Sequence, residues 1–175
     1  GVTDYQICLT GVVMAELKTA RTNNARLLVQ GTPDFTAALD DLDDAPPLLW
    51  SIGDTSLLAR PVIAMVGARN ASSLGTRMAK KLAADLGDAG YVIVPGLARS
   101  VDTAAHLASL TTGTIAVQAG GVDVIYPTEN TALTQDIAKS GLRLSEMAMG
   151  MQPQARHFPA RNRIISGLSM GVVVI

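Results

Sequence analysis

The 175-residue sequence is nearly without aromatic side chains: two Phe, three Tyr and one Trp, 3% of the chain. Its core must therefore be aliphatic, built from Val, Ile, Leu, Ala and Met. One cysteine, Cys8, excludes an internal disulfide framework and any multi-cysteine metal site. Two histidines, His106 and His157, argue against a histidine-based zinc site. No apolar run approaches the roughly 20 residues of a membrane helix. The N-terminus does not read as a secretory leader, so the expectation is a cytoplasmic protein without membrane contact. What is present in quantity is hydrophobic residue, 48% against 17% charged, which points to a globular fold and away from disorder.

The net charge of −1 hides an asymmetry. Residues 1–59 hold three basic residues against eight acidic ones, among them Asp40, Asp41, Asp43 and Asp44. Residues 60–175 hold eleven basic against seven acidic. A modest positive excess in the second part is compatible with an anionic partner, and equally with solvated surface charge.

Along the chain, helix is expected over residues 10–23, a short strand over 26–30, a second helix over Asp34–Leu42 entered through Pro33, and a strand over Leu48–Ile52. From Pro61 the pattern is regular. Strands Val62–Val66, Tyr91–Val94, Thr114–Val117, Leu142–Leu144 and Val172–Ile175 alternate with helices around Met78–Leu86, Val101–Leu110, Asn130–Lys139 and Arg161–Leu168. That alternation predicts an α/β fold: a Rossmann-like, doubly wound, mostly parallel sheet with helices on both faces. The expected division is a helical N-terminal extension over 1–44 and the Rossmann-like domain over 45–175. A chain ending inside the apolar run Val172-Val173-Val174-Ile175 is expected to continue in the natural protein.

Ligands bind outside the carboxyl ends of strands in such sheets, so the loops there carry the information. The first, Gly67–Gly75, offers Gly67 and Ala68 for a tight turn, Arg69 for a phosphate, and Ser72 or Ser73 as N-cap of the next helix, whose free amides favour an anion. It also reads as a capped surface turn with a solvated arginine. Its glycines do not follow the Gly-x-Gly-x-x-Gly spacing, and no acidic residue ends the second strand to hold a ribose, so no dinucleotide cofactor is expected. The second loop holds Gly96, Ala98 and Arg99, with small residues to admit a ligand near the backbone. Asp102 follows as a helix cap, and His106 one turn on as a structural hydrogen-bonding group or half of an acid–base pair. The third holds Gly120 and Gly121, with Tyr126 placed to stack on a base or pack beside Pro127. The fourth, His157–Ser169, sets Arg161, Asn162 and Arg163 at an expected helix start, where cations oppose the dipole. The two arginines cannot both face the core, and each reads as a phosphate contact or as an anchor for a carboxylate such as Glu146.

Together these loops resemble the DNA processing protein A (DprA/Smf) family. Gly67–Gly75 matches its Gly-Ser/Ala-Arg-x-x-Ser-x-x-Gly loop, and Pro95–His106 its Ser-Gly-x-Ala-x-Gly-x-Asp-x-x-Ala-His segment. Gly121–Asn130 matches Gly-x-Asp-x-x-Tyr-Pro-x-x-Asn, and Phe158–Ser169 matches Phe-Pro-x-Arg-Asn-Arg-Ile-Ile-x-Gly-Leu-Ser. Pro95 stands where the family has Ser, Ser100 where it has Gly, and Thr128 where many members carry a basic residue. The resemblance implies a non-catalytic, single-stranded-DNA-binding homodimer that protects incoming strands in natural transformation and helps load the RecA recombinase. Its winged-helix region would lie beyond Ile175. The rival readings are a phosphoribohydrolase-like nucleotide-processing enzyme and a nucleotide sensor on a related fold. Against the enzyme, Ala119–Asp123 lacks the Gly-Thr and glutamate of a Pro-Gly-Gly-x-Gly-Thr-x-x-Glu motif.

Overall fold

A computed structural model of the chain describes residues 6–175. Five helices, α1 (Thr10–Thr22), α2 (Ser73–Asp88), α3 (Val101–Ser109), α4 (Thr131–Ser140) and α5 (His157–Gly167), accompany seven strands. The strands are β1 (Arg26–Val29), β2 (Leu48–Gly53), β3 (Val62–Val66), β4 (Val92–Val94), β5 (Ile115–Val117), β6 (Leu142–Ser145) and β7 (Gly171–Val174). Two hydrogen-bonded sheets form, β1-β2-β6-β5 and β4-β3-β7. A parallel bridge between Ile93 and Thr114 joins them at β4 and β5. The pairs β5–β6, β4–β3 and β3–β7 are parallel, as βαβ connections require. Strand β2 runs antiparallel to both β1 and β6, giving the parallel core an antiparallel edge.

Aliphatic alternation along the strands separates the two faces. Val62, Ala64, Val92, Val94, Ile115 and Val117 point to one side, where Ile164 and Ile165 of α5 and Leu168 just after it cover them. Met65 and Ile93 point to the other, against Ala79 and Ala83 of α2 and Val101, Ala104 and Ala105 of α3. Small alanines let those two helices approach the sheet closely.

Two expected elements differ. Residues 34–42 do not form a helix; they make turns around a single 3-10 turn, Ala37–Leu39, with the Thr36 side chain accepting the Ala38 amide. Acidic residues at the end of that segment oppose a helix dipole. Its stability comes instead from Phe35 and Leu39, which are buried in the core shared with α5. From Arg26 onward the chain thus belongs to the sheet and its core, and the helical part of the N-terminal segment is α1 alone. The second difference is α5, which starts at His157, one turn before the expected start at Arg161.

Candidate functional site

The loops after β3, β4 and β5 and the start of α5 converge on a cleft of about 340 Å³ at the carboxyl ends of the parallel strands. Arg69, Asn70, Leu97, Ala98, Arg99, Tyr126, Pro127 and Phe158 line it. Arg69 lies with its guanidinium carbon 5.2 Å from the Phe158 ring centroid, a cation–π distance. Behind Phe158 stands Tyr126, centroids 6.0 Å apart and rings tilted by 57°. Arg69, Phe158 and Tyr126 therefore form a row with the cation at one end and a half-exposed phenol at the other. Arg99 is exposed beside it and paired with Glu129.

The sequence names Arg69, Ala98, Arg99 and Tyr126 for this cleft and passes over Asn70, Leu97, Pro127 and Phe158. Phe158 had one signal, being one of only two phenylalanines in the chain. Ser72 caps α2, its hydroxyl accepting the Gly75 amide at 3.1 Å. The Ala71 amide donates to Ser100 Oγ at 3.1 Å. Some amides that the sequence offers to an anion are thus engaged within the chain.

Three of the nominated glycines lie close against the protein's own groups. A side chain on Gly96 would meet the Arg161 guanidinium at 2.5 Å and the Asp102 carboxylate at 2.6 Å. At Gly67 it would meet the Ile175 carbonyl, and at Gly120 the Met151 carbonyl and Pro153. These glycines admit the protein's own groups; Gly75, in the first turn of α2, is half-buried with its nearest neighbour at 3.4 Å, and Ala68 is exposed.

Beneath the cleft lies a buried polar layer. Arg161, 6% exposed, reaches inward from α5 and donates to the Val117 carbonyl at the end of β5. Its Nε also donates to the exposed Asn162 at 3.2 Å. Burial lowers its pKa while Asp102 pulls it back up. Asp102 does not cap α3: its carboxylate turns back and accepts the Ala98 amide at 3.0 Å, fixing the second loop. Burial raises its pKa, against the Ala98 bond and the Arg161 and Arg69 charges. Arg163, two residues and roughly 200° further around α5, makes a bidentate pair with Glu146 at 2.7 and 2.6 Å and a further pair with Asp44 at 2.9 Å. It takes the anchoring role of the two the sequence left open.

His106 is buried with Nε2 2.6 Å from the Gly96 carbonyl and Nδ1 2.8 Å from Thr114 Oγ1. The carbonyl assigns the proton of the neutral ring to Nε2. Burial holds its pKa down at about 4, so the unfolded chain binds a proton that the folded chain refuses. Stability from this group is complete above about pH 6.5 and falls by about 3 kcal/mol as pH drops towards 4. Asp102, with its raised pKa, works in the opposite sense as pH falls. Comparing urea unfolding of the wild type and His106→Gln between pH 7 and pH 4.5 isolates the histidine: the wild type should lose more stability over that interval. Parallel curves would mean that His106 does not titrate as described.

Ser100 has φ +69°, ψ −107°, backbone that favours glycine, while its hydroxyl ties the first loop to the second. Strain of about 1–3 kcal/mol opposes a hydrogen bond of about 1 kcal/mol. Ser100→Gly removes both and should be near neutral. Ser100→Ala keeps the strain and loses the bond, so it should melt below Ser100→Gly; the reverse order in calorimetry would contradict this account.

Asn130 is a site residue of another kind. Its Nδ2 donates to the Leu97 and Ala98 carbonyls at 3.5 and 3.3 Å, stapling the third loop to the second. Arg143 in β6 plays a similar part for residues 118–124, donating to Gln118 at 2.7 Å and to the Val122 carbonyl, with burial lowering its pKa to about 10.

A family model described as DNA recombination-mediator protein A matches residues 26–175. The chain belongs to that family. Among relatives, DNA processing protein DprA of Streptococcus pneumoniae is 47% identical over 138 residues, 78% of this chain and 49% of that protein. The DprA of Bacillus subtilis is 43% identical over 140 residues, 78% of this chain and 47% of that one. The chain thus spans about half the length of these curated relatives. The X-ray structure of the Streptococcus pneumoniae protein superimposes with a TM-score of 0.87 at 38% identity, over 95% of this chain and 58% of its own. A structure of DNA processing protein A from Helicobacter pylori, concerned with that protein's single-stranded DNA binding mode, superimposes with a TM-score of 0.80 at 36% identity, over 86% of this chain and 68% of its own. This recombination-mediator family member accordingly has the α/β fold its sequence predicts. Among the described residues no helix is long and apolar enough to cross a membrane.

Proposed function

We propose that this chain binds single-stranded DNA in the cleft, without sequence preference and without catalysis. The observation that carries the reading is the row Arg69–Phe158–Tyr126 with Arg99 beside it, at the strand ends of a parallel sheet. Exposed guanidinium groups take phosphates, and an aromatic face takes any base, at about 1–3 kcal/mol per stacked base. The Helicobacter pylori relative, whose single-stranded DNA binding mode has been described, supports the reading. The lining sets cationic, amide and aromatic side chains among the apolar Leu97, Ala98 and Pro127, while Asp102 and His106 are committed to backbone partners beneath it and Glu129 at its mouth is paired with Arg99.

Of the residues the sequence nominates, Arg69, Ala98, Arg99 and Tyr126 face the strand in this reading. Arg161 and Gly96 shape the floor, and Arg163 braces α5. The whole protein, of which this is the binding unit, would act in the cytoplasm as a homodimer, protect incoming strands in natural transformation and help load RecA. Titrating fluorescent oligo-dT of increasing length at low and high salt tests the binding step. Affinity should grow with length and fall with salt, with a slope of about −1.4 if Arg69 and Arg99 each take one phosphate. Tight binding of a mononucleotide with no length dependence would overturn the reading in favour of a nucleotide enzyme or sensor.

A further inference from the structure

Arg99 is not free at the cleft mouth: it is paired with Glu129, and both side chains are more than half exposed. The partners are held together by more than their own attraction. Asn130, next to Glu129, donates to the carbonyls of Leu97 and Ala98, next to Arg99. Thr103 Oγ1 adds bonds to the Ala98 carbonyl at 3.0 Å and to Asn130 Oδ1 at 3.3 Å. The staple thus fixes a carboxylate where Arg99 would otherwise hold a phosphate.

We propose that Glu129 is an affinity-setting residue, a built-in competitor that a strand must displace from Arg99 and that reclaims Arg99 when the strand leaves. The proposal rests on the single-strand reading of the cleft. An exposed pair is weak, so a phosphate delivered beside one already held at Arg69 can replace the carboxylate. The consequence is a strand held loosely enough to be passed on. A mononucleotide that fills only the Arg69 end never meets Glu129.

The test compares the wild type, Glu129→Gln, Arg99→Ala and the double variant, with oligo-dT of increasing length and with deoxythymidine monophosphate. Glu129→Gln should bind strands that span both arginines about five-fold more tightly, mostly through slower dissociation. Its salt slope should stay near the wild-type value, because a spanning strand seats a phosphate on Arg99 in both proteins. The monophosphate should bind as to the wild type, and in the Arg99→Ala background the five-fold gain should be lost. An unchanged strand affinity, or an equal gain for the monophosphate, would overturn the proposal; so would the same gain without Arg99. If the wild type binds strands with length and salt dependence, any such result removes only the role of Glu129. If the wild type binds no strand at all, the reading of the cleft falls first.

Discussion

Replacing Arg69 with alanine should weaken oligo-dT binding about 10- to 100-fold at low salt while leaving the protein folded. The lost interaction is a charge-assisted hydrogen bond to phosphate, about 1.5–3 kcal/mol, or one to two decades in the dissociation constant. The salt slope should shrink by about 0.7, and the loss should be uniform across sequences, because a phosphate carries no base information. Arg69 is exposed, and its contact with Phe158 is the main fixed interaction of its side chain, so the cost in stability should stay near or below about 1 kcal/mol. Arg69→Lys separates charge from shape. It keeps the salt slope but gives up the planar stack on Phe158, and should fall between the wild type and alanine. A folded Arg69→Ala with unchanged affinity and slope would remove the first loop from the site.

Arg161→Met should give the reverse pattern, a large loss of stability from a residue two positions from the Arg163 brace. Arg161 is buried and bonded to the Val117 carbonyl, and its charge offsets the buried Asp102 carboxylate across Gly96. Removing one member of such an arrangement leaves a buried charge and a buried carbonyl without compensation, a cost of about 3–5 kcal/mol. That is a large fraction of the total for a domain of this size. The companion change Asp102→Asn keeps an acceptor for the Ala98 amide and removes the charge, so Arg161→Met/Asp102→Asn should recover part of the loss. Urea unfolding of the two single variants and the double variant measures it. Additive losses, with no recovery, would mean that the two groups do not communicate across Gly96.

These contrasts show what was legible in the sequence and what was not. The strands were legible because most are short, largely aliphatic runs, β3 and β4 being closed by Gly67 and Pro95, and the parallel order follows from the helices between them. The loops were legible because glycine and arginine cluster where strands end. Which of Arg161 and Arg163 turns inward was not, because the helical period says only that they diverge. The answer lies with the Val117 carbonyl on one side and with Glu146 and Asp44 on the other, both far away in the chain. The neighbours of the glycines were not legible for a similar reason. A missing side chain signals close approach, but not of what, and at Gly96 the visitors are Arg161 and Asp102. Residues 34–42 looked helical by composition and were overruled by burial of Phe35 and Leu39.

The most direct test of the central claim is photocrosslinking of an oligo-dT carrying 5-iododeoxyuridine, followed by mass spectrometry of the attached peptide. Attachment is expected at Phe158 or Tyr126, lost on competition with unlabelled single strand and retained with duplex. Attachment confined to another surface, such as the outer face of α2, would contradict it.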